Sequence, residues 1–168
     1  DEKNLCVLFP GARKGLNPEE ITVAEVLKEQ GYATMCIGKW HLGDHPDFLP
    51  TRQGFDHYFG IPYSNDMGGR KGRGRPPLPL VRDETVIEAP VNQAPLTAQY
   101  TEEAIGFITA NKEKPFFLYL PHTAVHLPLF PGKAFKGKSQ DGAYGDWVEE
   151  LTPEQRAVVV LRDGFEDG

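Results

Sequence analysis

Apolar positions along the chain fall into two helix-then-strand cadences separated by a stretch rich in glycine, proline and arginine. In the first, Ile21, Val23, Ala24, Val26 and Leu27 supply the apolar side of a helix predicted over residues 18–30. Asn17 can cap it, Pro18 suits its first position, Glu19 and Glu20 favour its positive end, and Gly31 is a left-handed stop. Residues 32–37 then read as a short, mostly buried strand ending in Gly38. In the second cadence, residues 96–111 carry Ala104, Ile105 and Ile108 on one helical face, and Pro115 introduces a buried strand over residues 116–120. Two such units predict an α/β fold, an open and mostly parallel sheet flanked by helices. Sheets of that kind place ligands just beyond the carboxyl ends of their strands.

Between the two units, residues 65–82 show no apolar period and read as an exposed loop. The basic run from Arg70 to Arg75 can attract an anion, and the segment Arg75-Pro76-Pro77-Leu78-Pro79 can form a polyproline helix, but a plain solvated loop explains both. The 168 residues suit one ordinary domain, and 39% hydrophobic with 25% charged residues is a globular composition. A formal net charge of -6 excludes a general nucleic-acid binder, so no nucleic-acid partner is expected and any anion site must be local. No run approaches the roughly 20 apolar residues of a membrane-spanning helix. Cys6 and Cys36 are too few for a disulfide scaffold; they can be two buried, inert thiols or one bridge.

At the end of the first strand, Gly38-Lys39-Trp40-His41-Leu42-Gly43 sets a cation and an imidazole two residues apart, facing one side if the chain stays extended, with Trp40 turned into packing. Lys39 offers fixed positive charge to an anionic oxygen, and His41 can give or take a proton near neutral pH. By residue type alone, the same pair reads as a surface lysine and a satisfied histidine beside a core tryptophan. Past the second strand, His122 and His126 lie four residues apart. A zinc-protease pattern needs a glutamate directly after the first histidine on a helix, whereas Thr123 follows here and prolines flank the segment. His41 and His45 repeat the spacing, but Gly43 and Pro46 oppose a helix there.

Taken together, Gly38 to Gly43, Gly54-Phe55-Asp56 and Gly60-Ile61-Pro62-Tyr63-Ser64-Asn65-Asp66 resemble, in order and spacing, the arylsulfatase branch of the type I sulfatases. Lys114 to Tyr119 leading to His126-Leu127-Pro128, then Tyr144-Gly145-Asp146 and Val148-Glu149-Glu150, resemble the segments that follow. The resemblance covers roughly residues 7 to 151. It implies an alkaline-phosphatase-like α/β fold, a bound Ca2+, a formylglycine nucleophile made from Cys or Ser, and a sulfated small molecule or sulfated glycan as substrate. By position, it implies that Lys39 binds a sulfate oxygen and that His41 is a base or hydrogen-bond partner in turnover. Ser64 would line the same pocket, and His126 would contact the sulfate and protonate the departing alcohol. His122 carries no assigned role. A protein that follows the family would be periplasmic, secreted or lysosomal.

Two departures bear on activity. The family's nucleophile motif is Cys or Ser, any residue, Pro or Ala, any residue, Arg, and neither Cys6-Val7-Leu8-Phe9-Pro10 nor Cys36-Ile37-Gly38-Lys39-Trp40 meets it. The family's paired aspartates and its Asp-Asn-Gly, which hold the calcium, are also missing, and Asp163-Gly164 is no substitute. Residues 1–151 are therefore read as part of a sulfatase catalytic domain and residues 152–168 as a short helical tail. The expected function is hydrolysis of a sulfate monoester by an incomplete catalytic domain, inactive as the isolated chain. The alternatives are a non-catalytic fragment or anion-binding module, and a phosphatase or phosphonate-ester hydrolase of the same superfamily.

Overall fold

Local capping decides where the first helix begins. In the computed structural model, which describes residues 7–69, 74–151 and 159–162, helix α1 spans Val23–Glu29. Thr22 Oγ1 accepts the Glu25 N–H at 3.1 Å and Glu25 Oε2 accepts the Thr22 N–H at 2.7 Å, a reciprocal capping box. Asn17, expected as the cap, accepts the Glu19 N–H in a turn instead. Because the helix starts five residues later than expected, only Ala24 is buried and Leu27 partly so. Ile21, Val23 and Val26 stay exposed.

Strands β1 (Ala33–Lys39) and β2 (His57–Ile61) pair in parallel, with Met35 opposite His57 and Lys39 opposite Ile61. β3 (Leu80–Arg82) and β4 (Thr85–Glu88) extend that side as an antiparallel hairpin. Helix α2 (Leu96–Asn111) carries the chain back to β5 (Phe116–Tyr119), which pairs in parallel with the other edge of β1. Helix α3 (Gly142–Glu150) follows, and β6 (Val159–Arg162) closes the order β4-β3-β2-β1-β5-β6. The open α/β sheet is as the sequence implies. Its three central strands are parallel and its flanks are antiparallel, so the sheet is mixed rather than mostly parallel.

Three expectations are corrected here. Residues 65–82 are not wholly an exposed loop: Asn65, Met67, Leu78 and Leu80 are buried, and Leu80–Arg82 is a strand, because scattered apolar residues dock individually on the sheet without a period. The tail is not helical over Val159–Arg162, where a β-branched run pairs antiparallel with β5 and Val160 packs on the core. The rest of that tail, residues 70–73 and Cys6 lie outside the described residues. On α2, Tyr100, Ala104 and Phe107 face the sheet while Ile105 is exposed, since the two large aromatics set the buried stripe.

Side-chain alternation along β1 feeds two cores. Met35 and Ile37 join Phe59, Ile61 and Leu118 beneath α2, whereas Cys36 joins Tyr58, Phe117, Phe55 and Trp40 toward α1. Trp40 points into packing as expected, its Nε1 donating to Phe48 O at 2.8 Å. At the other end of the chain, Asp146 and Glu150 of α3 fasten the preceding loop. Asp146 accepts N–H bonds from Gly137, Lys138 and Ser139 at 2.7 to 2.9 Å, and Glu150 accepts that of Gly132 at 2.7 Å.

The Ser139 amide, with those of Gly137 and Lys138, holds the Asp146 carboxyl below the usual carboxylate range. A depressed folded-state pKa gives stability that is present above the unfolded pKa, about 3.9, and lost as pH falls through the folded value. Asp146→Asn is therefore expected to melt below the parent at about pH 7, with the gap narrowing once the pH drops below about 3.9. Thermal denaturation across that range checks it; a gap independent of pH would remove the carboxylate from the account.

Candidate active site

The carboxyl ends of β1, β2 and β5 are stitched together by backbone hydrogen bonds. Lys39 N donates to Pro121 O at 2.8 Å, Trp40 N to Ile61 O at 3.0 Å and His41 N to Pro62 O at 3.0 Å. That weave brings Lys39, His41, residues 62–65 and residues 121–128 to one end of the sheet, where the parallel strands point. Gly38 makes it possible. Its φ is 127°, and a Cβ there would overlap the Pro121 carbonyl oxygen.

His41 corrects the extended geometry assumed from sequence. Its φ is 57°, so the chain turns at the imidazole instead of continuing β1. The turn follows from pairing: β1 runs out of partner at Ile61, and His41 is pulled onto Pro62. Its Nε2 lies 3.1 Å from Leu8 O. The ring lines a groove of about 1100 Å³ together with Leu16, Trp40, Leu42 and Phe48. Lys39, half-buried at the last position of β1, does not line that groove.

Ser64 and His126 do come together. Ser64 is 2% exposed and its Oγ is 3.5 Å from His126 Nδ1, while the His126 residue itself is exposed. Asn65, quoted in the sequence motif without a role, proves central: its side chain meets the His126 ring at 3.0 Å and donates to the His126 and Pro128 carbonyls. Nothing in composition or spacing singles it out, because its partners are more than sixty residues away. Among the described residues, no hydrogen bond links Lys39 or His41 to the Ser64–His126 pair. Tyr63, next to Ser64, is pushed up to about 12 by burial and by the nearby Asp44, and its hydroxyl donates to Pro77 O. It is therefore a neutral phenol at physiological pH.

The remaining candidates separate. His122 packs beside Tyr100 with ring centroids 6.3 Å apart, while the His126 ring turns to Asn65, so the pair does not converge. His45 caps a 3-10 turn through Asp47. Cys36 is a free thiol, fully buried, and burial pushes its pKa up, the opposite of an activated nucleophile. Among the described residues, no three His, Cys, Asp or Glu side chains gather as a metal site, so the side chains present do not fit a bound Ca2+. Among those residues, too, no helix is long and apolar enough to cross a membrane.

The sheet and its helices place the chain among proteins of the alkaline-phosphatase-like α/β fold. Its structure superposes on one solved in work on the metabolism of multiple glycosaminoglycans by Bacteroides thetaiotaomicron, with TM-score 0.76 and 25% identity over 89% of this chain and 43% of that one. It also superposes on a sulfatase from Pseudoalteromonas sp., with TM-score 0.70 and 24% identity, over 85% and 35% of the two chains. In sequence it is 40% identical to dog N-acetylgalactosamine-6-sulfatase across 82% of this chain and 28% of the relative. It is 39% identical to human arylsulfatase A across 86% and 32%. Residues 4–156 match the Sulfatase family, and the chain belongs to it. It spans about a third of the length of these curated relatives.

Proposed function

We propose that this chain forms the sulfate-holding and leaving-group side of a catalytic site that hydrolyses a sulfate monoester, on a sulfated small molecule or a sulfated glycan. The observation that supports it most is the meeting of Ser64 and His126 at the strand end that also carries Lys39. Lys39 supplies the positive charge that holds a sulfate oxygen, and the buried Ser64 hydroxyl offers that group a hydrogen bond. His126, exposed beside Ser64, gives a proton to the departing alcohol, since an alkoxide leaves poorly until protonated. His41 lines the Leu16–Phe48 groove, within reach of a group arriving through it. The reading places the nucleophile and the calcium ligands in sequence beyond these 168 residues, as neither cysteine here meets the formylglycine motif.

The test is hydrolysis of para-nitrophenyl sulfate, with calcium supplied, by the protein at its natural length. Lys39→Ala is expected to reduce kcat/KM about 10- to 100-fold, the worth of one charge-assisted contact to an anion. Turnover that ignores Lys39 overturns the assignment. Sulfate binding without turnover would leave an anion-binding module in place of an enzyme.

A further inference from the structure

Asn65 is almost wholly buried, 3% exposed, yet its amide is spent on a single loop. Its Nδ2 donates to His126 O at 3.4 Å and to Pro128 O at 3.1 Å, and its Oδ1 lies 3.0 Å from His126 Nδ1. Its own carbonyl accepts from Gln93 Nε2 at 3.2 Å, which holds the residue from behind. These contacts fix which way the amide points. Turned over, it would set Oδ1 against two carbonyl oxygens, which have no hydrogen to give. With Oδ1 facing the ring, Nδ1 must be the donor. Leu127 O, 2.6 Å from the same nitrogen, makes the same demand.

We infer that Asn65 is a positioning residue that holds His126 as the Nδ1–H tautomer, so that Nε2 is the nitrogen that exchanges a proton with substrate. The tautomer stands on hydrogen bonds alone; its catalytic meaning rests on the proton-donor role proposed above. In that role, an incoming oxygen nucleophile bonds to sulfur and takes the sulfuryl group as the S–O ester bond breaks; the electron pair of that bond goes to the ester oxygen, which takes the Nε2 proton of the imidazolium. The product is the alcohol and a neutral imidazole that keeps its Nδ1–H. Asn65 never touches the reacting atoms. It acts by keeping Nδ1 occupied and the loop that carries the ring at one height, as the partners of a ligand histidine do at metal sites.

The experiment is two-bond 1H–15N correlation spectroscopy on the 15N-histidine-labelled protein at its natural length, with kinetics on two variants. Neutral His126 is expected as the Nδ1–H form in the parent. Asn65→Ala is expected to let the Nε2–H form appear and to lower kcat about 10- to 100-fold with KM changed by less than about threefold. Asn65→Asp keeps an acceptor toward Nδ1 but sets its second oxygen against the His126 and Pro128 carbonyls, so it is expected to keep the Nδ1–H form while recovering kcat only in part. A parent in the Nε2–H form overturns the inference without any variant. An Asn65→Asp protein that shows the Nε2–H form as Asn65→Ala does overturns it too, because the acceptor facing Nδ1 would then not be what selects the tautomer. The tautomer is read whether or not the protein turns over a sulfate ester, so failure of the functional reading and failure of this inference are distinguishable.

Discussion

Replacing Gly60 with alanine is expected to destabilise the protein by about 3 kcal/mol or more, at the far end of single substitutions. A Cβ at Gly60 would sit 2.7 Å from the Gly38 carbonyl carbon, 2.8 Å from the Gly38 nitrogen and closer still to its oxygen. All three are backbone atoms of the neighbouring central strand. That strand cannot yield, because Gly38 is itself pressed against Pro121 and the residues after it are bonded to Pro121, Ile61 and Pro62. Relief would require breaking the register between β1 and β2, and with it part of a close-packed core. Urea denaturation measures the loss. Gly106→Ala is the matched control: its Cβ would meet nothing within 4 Å, and alanine in that helix is expected to stabilise by about 0.5–1 kcal/mol. A Gly60→Ala protein within about 1 kcal/mol of the parent would mean that the strand end is softer than its packing implies.

Removing the His126 imidazole is expected to have the largest effect on turnover, and the size should depend on the substrate. A positioned acid contributes about 10²- to 10⁴-fold when the leaving oxygen needs its proton, and little when the alcohol is already acidic. His126→Ala should therefore slow hydrolysis of alkyl or sugar sulfates by about that factor, and that of a nitrophenyl sulfate much less. Parallel kcat/KM measurements on the two substrate types decide it. An equal loss on both would assign His126 to holding the sulfate instead, because a binding contact is indifferent to the acidity of the leaving group.

Legibility from sequence tracked the range of the interaction. The bounds of α2 were readable from its apolar positions, but its buried face was not fully so: Ile105, counted on that face, is exposed, and Tyr100 and Phe107 set the stripe instead. Strands β1 and β5 were readable because continuous apolar runs bounded by glycine and proline leave little choice. The start of α1 was misplaced because two capping signals compete, and the reciprocal Thr22–Glu25 pair wins over Asn17. β3 and β4 were invisible, since Leu80–Arg82 is too short to show alternation and Thr85–Glu88 is exposed throughout. Within the site, sequence offered the residue types and the strand ends. It could not show the turn at His41, which is set by where β2 stops, nor the contact between Asn65 and His126, which depends on two distant loops folding onto each other.

The strand order also sets how far along the chain each part of the site must reach. β1 meets β2 after a short excursion, but its pairing with β5 joins residues roughly eighty positions apart, and only after α2 has crossed the sheet. Loop closure over that distance is paid before any of its contacts form. Ser64 and Asn65 stand at the end of β2, and His126 comes from beyond β5, so a chain in which only β1 and β2 have paired holds Lys39, His41 and Ser64 at one strand end without His126. The proposed proton donor is thus the part of the site that hangs on the longest-range strand pairing, while the lysine and serine hang on a short-range one.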